Sequence, residues 1–390
     1  MAGTIKKRAK GSYTIWWDEG RDPLSGKRRQ RNKSIKGTKR NAEAELRKIL
    51  TALDSGVYIK PNRVTLGDFL EKWLTDYVWP NRSPETAQGY QTIVRKHLIP
   101  GLGGHSLHNL QPEMLQAYYA EKLASGRRDG RGGLSPRTVR HHHTTLHTAL
   151  QSAVKWKLLT RNPVDSVDPP QYQRQEMKTF DESGLVSFLE YIQESEYYPL
   201  FYTFLYTGLR RAEALAIRWQ DIDLVLGQIS VNRTLHHLED KSIQYRRPKT
   251  PKSRRMIALT PTNSIVLRDH YQQVKELRTE LGIPLTEEDL VFAHVDGSPL
   301  LPSTISHVWA RLTKRAGFKS IRLHDARHSH VSLMLKQGVD PKTISERLGH
   351  SSVVITLDTY AHLLPGMQEA AARGFDEGLS RYKTVPEATT

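Results

Sequence analysis

The sequence predicts a multidomain protein with three folds in series. The first is a small β-sheet plus helix, the second is all-α, and the third is mixed α+β but mainly helical. Three observations predict this order. Residues 11–36 alternate with the period of strands, residues 65–160 have helical patterns throughout, and the chain from residue 179 onward mixes both patterns.

Two stretches that contain proline separate these patterns and are typical of linkers. They cover residues 58–64 and 161–177. The predicted domains are therefore 1–57, with a three-stranded sheet and a helix, 64–165, and 175–390 including a C-terminal tail.

The charge of the chain is strongly positive and uneven. The 390 residues include 58 Lys+Arg against 41 Asp+Glu, which gives a formal net charge of +17. Fifteen basic and five acidic residues lie between Lys6 and Lys48, so ten of the seventeen excess charges fall there. Such an excess indicates a polyanionic partner, usually nucleic acid. A solvated basic tail or a nuclear address is the alternative, but the aromatic residues within this region disfavour it.

Several classes of protein are disfavoured by composition. The chain has no cysteine, which excludes disulfides, thiolate metal sites and a cysteine nucleophile. Its first residues lack the apolar core of a signal peptide, and no run approaches the ~18 apolar residues that span a bilayer. We expect a soluble, cytoplasmic protein without a membrane partner.

The N-terminal region has the signals of a hairpin followed by a helix. Ser12–Trp17 and Lys27–Ile35 are predicted strands, joined by a turn at Asp22–Gly26. Residues 41–53 have helical periodicity, with apolar residues on one face: Ala42, Leu46, Ile49, Leu50 and Leu53. Basic residues would project from the sheet.

The middle region contains clear helix starts. Thr65 is a predicted N-cap, and Ser83 with Pro84 opens a second helix. Two further helices are predicted at 110–123 and 135–158. The last contains a His141-His142-His143 run, but consecutive helical positions point in different directions and cannot chelate a metal together. We expect these histidines to contact a DNA backbone instead.

Four separate segments of the C-terminal region carry the residues of a phosphoryl-transfer site. They are TGLRRAE with Arg210, PKTPK with Lys249, HDARH with His324 and Arg327, and LGH with His350 followed ten residues later by Tyr360. Helical segments are predicted at 181–194 and 200–206, and strands at 228–232, 242–245 and 255–259. PKTPK lies between the last two strands, where a hairpin tip could reach a groove. His324 and Arg327 share one side of a helix.

These motifs resemble, in kind, order and spacing, the catalytic domain of the tyrosine recombinase (phage integrase) family. The layout resembles the three-domain integrases, with an arm-binding, a core-binding and a catalytic domain. The resemblance implies recombination of double-stranded DNA at core-type and arm-type attachment sites by a homo-tetramer. It also implies an excisionase and a host DNA-bending protein as further partners, and a nucleoid-associated, bacterial or phage-encoded protein.

The resemblance also implies a role for each candidate residue. Arg210 and Arg327 would clamp the phosphate oxygens with bidentate geometry. Tyr360 would attack phosphorus to form a 3′-phosphotyrosine, and Lys249 would protonate the leaving 5′-oxygen, with Lys252 as a nearby competitor. His324 and His350 would bind the phosphate or take the nucleophile's proton, and the sequence does not divide those roles.

Glu213, Asp325 and His328 match motif positions but are predicted to support the other residues. No HExxH pattern or acidic cluster completes a metal site, so we expect cleavage without metal or cofactor. The tail after Tyr360 is amphipathic, and it would pack either on its own domain or on a neighbouring protomer.

Two other functions fit parts of the pattern. A type IB topoisomerase shares the arginine, lysine, histidine and tyrosine chemistry, but the separate basic N-terminal domain favours an integrase. A DNA-binding regulator that kept the fold and lost the chemistry is disfavoured by the complete set of six catalytic positions.

Overall fold

The computed structural model describes residues 3–21, 28–54, 64–172, 177–238, 240–248, 253–319, 321–360 and 367–383. The chain divides into two compact units, 1–174 and 175–390. The division into an N-terminal domain at 1–57 and a middle domain at 64–165 stays a prediction.

The first unit begins with an antiparallel sheet of three strands, β1 (Gly3–Ala9), β2 (Ser12–Arg21) and β3 (Arg28–Lys36), in that spatial order. Helix α1 (Lys39–Asp54) covers one face. Ile15 and Trp17 of β2 are buried there with Ala42 and Leu46 of the helix, as strand and helix periodicity predict. Strand β2 is longer than predicted, whereas β3 has the predicted length and is shifted by one residue. The predicted turn at 22–26 lies outside the described residues.

The rest of the first unit is helical in the part that the structure describes. Thr65 caps its first helix through a reciprocal pair of bonds with Asp68, and Ser83 precedes Pro84 at the start of another, as predicted. The helices are α2 (Leu66–Trp73), α3 (Trp79–Asn81), α4 (Pro84–Ile93), α5 (Ile99–Leu102), α6 (Pro112–Ser125) and α7 (Pro136–Lys155). The π-helical segments Leu74–Val78 and Val94–Leu98 continue α2 into α3 and α4 into α5.

The central histidine of the run on α7 is buried, so the expected DNA contact is wrong for His142 and stays a prediction for exposed His141. His142 is fully buried, and its Nδ1 lies 3.1 Å from the hydroxyl of Tyr118. Its ring lies 4.6 Å from that of His97. His143 makes the corresponding contact with Tyr119, at 3.1 Å. His142 is therefore a packing residue of the helical core, and His143 is half-buried beside it.

The second unit mixes helices with two small sheets. The strands are β4 (Ile222–Asp223), β5 (Gln228–Val231), β6 (Thr234–His237), β7 (Ile243–Arg246) and β8 (Arg255–Ala258). The helices are α8 (Glu182–Tyr191), α9 (Tyr198–Thr207), α10 (Arg211–Ala214), α11 (Pro261–Glu280), α12 (Pro302–Arg315), α13 (Leu323–Lys336), α14 (Pro341–Leu348), α15 (Val353–Tyr360) and α16 (Met367–Lys383). Within the described residues, no helix is both long and apolar enough to cross a bilayer.

The predicted hairpin around PKTPK is wrong, because the strands before and after it do not pair with each other. Strand β7 pairs with β6, whereas β8 pairs with β5 in the other sheet. The reason is burial, because the cross-strand pair Ile229 and Ile257 is buried in the main core of this unit. Lys249 and Lys252 lie outside the described residues.

Candidate active site

The first arginine of the site follows a sharp change of chain direction. Helix α9 ends at Gly208, whose φ of 65° is left-handed and suits a residue without a Cβ. Arg210 then has an extended backbone at the start of α10. Its Nη1 donates to Oε1 of Glu213 at 2.7 Å, and its Nη2 donates to the carbonyl oxygen of Gly349 at 3.3 Å. The Arg210 side chain remains 38% exposed.

Glu213 is buried between two arginines. Besides Arg210, it accepts from both terminal nitrogens of Arg255, at 3.2 and 2.9 Å. Burial alone would raise the pKa of Glu213, but the hydrogen bonds and charge of Arg255, together with Arg210, hold that pKa below its usual value. Glu213 therefore supports the site, as predicted, whereas the contact of Arg255, the first residue of β8, with Glu213 was not predicted.

The second arginine of the site is held by the main chain. Arg327 lies on α13 and is 5% exposed. Its Nη1 donates to the carbonyl oxygen of Gly208 at 2.6 Å, and its Nη2 donates to that of Leu348 at 2.8 Å. Burial and the neighbouring Arg210 lower the pKa of Arg327 to about 9, so it remains charged at neutral pH. Arg327 and Arg210 both bond the 348–349 segment, which brings the two guanidiniums together.

The start of α13 is fixed by its own cap. Asp325 is buried and accepts from the backbone nitrogen of Arg322 at 2.8 Å and from its guanidinium at 2.9 and 3.0 Å. This support was predicted for Asp325. His324, at the preceding position, is exposed and lines a cleft of about 580 Å³ together with Arg211 and Arg327.

His350 lies just after α14. Gly349 ends that helix with a left-handed φ of 64°, which turns the chain toward α15. The Nδ1 of His350 lies 2.8 Å from the hydroxyl oxygen of Thr356. Burial and the charges of Arg327 and Arg210 lower the pKa of His350 to about 4. His350 is therefore neutral at physiological pH and close to both arginines.

Tyr360 ends α15 and turns inward. Its side chain is 3% exposed and packs in an apolar cluster with Val331 and Leu335 of α13 and Leu348 of α14. Its hydroxyl is hydrogen-bonded to Nδ1 of His328, one position after Arg327. The His328 ring in turn makes an edge contact with His324, with ring centroids 4.9 Å apart.

A chain of contacts links five of the six predicted site residues: Arg210, His324, Arg327, His350 and Tyr360. The two arginines bond the carbonyls of 348–349, just before His350, and Tyr360 reaches His324 through His328. The sixth, Lys249, lies outside the described residues. His328 contacts the hydroxyl of Tyr360 directly, which agrees with the support predicted for it. That contact joins residues 32 positions apart and depends on how α15 packs against α13, which the motif does not encode.

The site has no evident metal-binding set in the part of the chain that the structure describes. No group of three or more His, Cys, Asp or Glu side chains there could hold an ion. His324 and His328 lie one turn apart, but their rings meet at 86° and Nδ1 of His328 bonds Tyr360.

Comparison with known proteins identifies this arrangement. Residues 177–366 match the phage integrase family, and residues 65–123 match the phage integrase N-terminal SAM-like domain. The ICEBs1 integrase of Bacillus subtilis (strain 168) is 30% identical over 379 residues, which cover 96% of this chain and 99% of that relative. This chain belongs to the phage integrase family. It is a tyrosine recombinase, an enzyme that recombines DNA at specific sites to integrate mobile elements.

Other relatives agree with this placement. An integrase of Streptomyces ambofaciens is 29% identical over 381 residues, covering 91% of this recombinase and 93% of that relative. The Tn1549 transposon integrase in complex with a circular intermediate DNA matches with a TM-score of 0.69 at 20% identity, covering 80% of this chain and 99% of that one. A lambda integrase tetramer bound to a Holliday junction matches with a TM-score of 0.55 at 19% identity, covering 89% and 95%. These structural likenesses show the fold, and the topoisomerase alternative is not favoured.

Proposed function

We propose that this recombinase cleaves DNA by attack of the Tyr360 oxygen on a phosphodiester, leaving a 3′-phosphotyrosine and a free 5′-hydroxyl. The observation that carries the proposal is the burial of Tyr360 against α13, the helix that also presents Arg327. Energy of the broken bond is retained in the phosphotyrosine, so attack by a 5′-hydroxyl rejoins the strand without a nucleotide cofactor.

Arg210 and Arg327 are proposed to bind the non-bridging oxygens of that phosphate. Charge builds on these oxygens during phosphoryl transfer, and guanidiniums fixed beforehand stabilise it without reorganising. Both arginines use part of their hydrogen-bonding capacity on the protein and retain other N–H groups for the phosphate. His324 and His350 are proposed to contact the same phosphate, and Lys249 to protonate the leaving oxygen.

The sheet face opposite α1 is proposed to bind arm-type DNA. The register places Thr4, Trp16 and Asn32 in one row and Lys6, Thr14 and Ser34 in the next, on the opposite side from buried Ile15. The Lys6 ammonium lies 5.7 Å from the Trp16 ring. Lys6 offers positive charge for phosphates, and exposed Thr4, Asn32 and Ser34 offer polar groups for base edges, whereas Thr14 is buried.

Core-type DNA is proposed to bind residues 64–165 and the catalytic domain, in a homo-tetramer assembled on two sites. The lambda integrase tetramer on a Holliday junction provides the precedent for the assembly. An excisionase and a host DNA-bending protein are proposed as accessory partners.

The proposal is tested with a pool of duplexes that carry a randomised core and a nick a few bases 3′ of each candidate scissile phosphate. Cleavage releases the short fragment and traps the enzyme. Covalent complexes are isolated in denaturing detergent, the DNA is sequenced, and the protein is digested with trypsin. We expect the nucleotide on peptide 348–373, which contains Tyr360 as its single tyrosine.

Tyr360→Phe should form no covalent complex, whereas Tyr191→Phe, at an exposed tyrosine, should react normally. Trapping by the Tyr360 variant, or a linked peptide elsewhere, contradicts the proposed nucleophile. Added chelator at constant ionic strength should leave trapping unchanged, and its loss would contradict metal-independent cleavage.

A further inference from the structure

One histidine of the site contacts the reacting atom itself. The Nδ1 of His328 is hydrogen-bonded to the hydroxyl of Tyr360, and the two rings have centroids 5.5 Å apart. The phenol is buried, so this contact is sheltered from bulk water. Proton transfer requires a heavy-atom contact of hydrogen-bond length, and this pair meets that requirement before DNA binds.

We propose that His328 is the proton acceptor for Tyr360 and therefore a further catalytic residue of strand cleavage. The inference rests on the proposed role of Tyr360 as the nucleophile. In the resting enzyme Nε2 of His328 carries the ring hydrogen, and Nδ1 accepts from the phenol.

The cleavage step then balances within the site. The phenolic proton moves to Nδ1 of His328, and the freed oxygen pair forms the new bond to phosphorus. The bond from phosphorus to the 5′-oxygen breaks, and that oxygen leaves with the bonding pair and takes a proton from the general acid. In rejoining, the tyrosine oxygen leaves phosphorus and recovers its proton from the imidazolium of His328.

The surroundings of His328 keep its ring neutral in the free protein, so that Nδ1 has a lone pair for the phenol. Burial, with a contribution from His324, lowers its pKa to about 4, so the imidazole is neutral at physiological pH. A bound phosphodiester adds negative charge next to this ring and raises its basicity. The titratable and charged groups that face it are His324, Asp325, Arg327 and Arg322 of α13 and its cap, Tyr360 of α15 and His350 of the preceding loop.

The other two histidines have contacts that suit a different task. Nδ1 of His350 is already paired with Thr356 at 2.8 Å. His324 is exposed and lines the cleft beside Arg327, where it can donate to a phosphate oxygen. The three histidines thus have different roles: His328 takes the proton of the nucleophile, and His324 and His350 bind the phosphate.

The test is the pH dependence of cleavage with the nicked duplex selected above. His328→Asn places an amide near the position of Nδ1, so it can keep a hydrogen bond but cannot take a proton. We expect its cleavage rate at pH 7 to fall by about 100-fold. We also expect the rate to rise about tenfold per pH unit toward the ordinary phenol pKa near 10, approaching the wild-type rate, which stays flat above neutrality.

A second variant tests the same step by chemical rescue. In His328→Ala, added imidazole should restore cleavage in proportion to its neutral form, and it should not accelerate the wild type. Both variants must bind the duplex with wild-type affinity to be interpreted. Wild-type rates in His328→Asn, or a loss that is the same at every pH and unresponsive to imidazole, would overturn the proposal.

A measurement on the free protein keeps the inference testable if those variants do not fold. Nitrogen-15 labelled histidine distinguishes ring nitrogens with and without hydrogen, and the His328 Nδ1 signal is identified as the one that shifts in Tyr360→Phe. We expect it to carry no hydrogen at pH 7, and a protonated Nδ1 contradicts the proposal. If wild-type protein forms no phosphotyrosine, the proposed nucleophile fails, whereas failure of the pH and nitrogen-15 results alone removes only His328.

Discussion

At the scale of single residues, the site depends on two glycines with left-handed backbones. Gly208 and Gly349 each end a helix, and each lies where an arginine of the pocket is bonded to the main chain. A Cβ built at Gly208 would lie 2.8 Å from both His330 and Leu348, closer than packed atoms approach. Conformation and space both require glycine at this position.

Gly208→Ala should therefore destabilise the protein more than a glycine-to-alanine replacement that causes backbone strain but no steric overlap. Gly338 provides the matched control, because its φ is 79° and its Cβ would meet nothing within 4 Å. We expect Gly338→Ala to cost about 1 kcal/mol of unfolding free energy from backbone strain. Gly208→Ala should cost a further 1–3 kcal/mol, roughly, from overpacking. Equal shifts in urea midpoint would contradict this.

The buried pair of Glu213 and Arg255 leads to a second prediction at this scale. Arg255→Met leaves the Glu213 carboxylate buried with less compensation, so we expect a loss of about 3–5 kcal/mol in unfolding free energy. The neighbouring Arg254 is exposed, and Arg254→Met should change stability by less than about 0.5 kcal/mol. Adding Glu213→Gln to Arg255→Met should recover part of the loss, and strict additivity in urea denaturation would argue against direct coupling.

The signals for the site residues were mostly local, but their contacts were not. Arg210, His324, Arg327, His350 and Tyr360 could be predicted because each belongs to a motif that is complete within a few residues. The contacts that Arg255 makes with Glu213 and that His328 makes with Tyr360 join residues 42 and 32 positions apart. They follow from the packing of β8 and α15, which sequence spacing does not report.

At the scale of elements, capping and periodicity predicted helices better than strands. Thr65 and Asp181 accept bonds from backbone nitrogens of the helices that they begin, because a cap is defined by its own few residues. Strand β4 was missed because two residues are too few to show a period. Strand β6 was also missed, although it is as long as β5, β7 and β8. The pairing of β5 with β8 spans an intervening sheet, which a hairpin interpretation cannot anticipate.

Helices α6 and α7 of the first unit carry a pH-dependent contact. Burial, with His97 contributing, lowers the pKa of His142 from 6.5 to about 4. Between pH 4 and pH 6.5, His142 is therefore protonated in the unfolded chain but mostly neutral in the folded one. The contribution of neutral, buried His142 to the free energy of unfolding is fully present above pH 6.5. It is lost as the pH falls toward 4, by up to roughly 3 kcal/mol.

His142→Gln should remove this part of the pH dependence. We expect the difference in unfolding free energy between wild type and the variant to shrink as the pH is lowered from 7 to 4.5. Exposed His141 on the same helix is the control, and His141→Gln should follow the wild-type curve. Parallel pH curves for wild type and His142→Gln, measured by urea denaturation, would contradict the assignment.

At the scale of the whole molecule, positive charge is concentrated in the region that we propose to bind arm-type DNA. Ten excess positive charges lie between Lys6 and Lys48, while the residues proposed for strand cleavage lie more than 150 positions later in the sequence. Binding to arm-type DNA should therefore be the more salt-dependent activity, since each phosphate contact releases counterions.

Lys6→Ala should lower the slope of log affinity against log salt for arm-type DNA by about 0.9, the contribution of one phosphate contact to duplex DNA. Lys39→Ala, on helix α1 and beside Glu43 at 3.7 Å, is the control and should leave the slope unchanged. Fluorescence anisotropy across a salt series measures both. An unchanged slope for Lys6→Ala would remove this sheet face from the proposed interface.

The anchoring of Arg327 to two peptide oxygens has a wider consequence. The position of the Arg327 guanidinium therefore depends on the backbone conformation at Gly208 and Leu348 and not on the identity of the neighbouring side chains. Replacing Leu209 or Leu348 with another apolar residue changes the shape of a side chain but can leave the carbonyls of Gly208 and residue 348 in position. Which mutations are tolerated around Arg327 thus depends on the backbone torsion angles that they permit. The neighbours that are hardest to replace are the glycines Gly208 and Gly349.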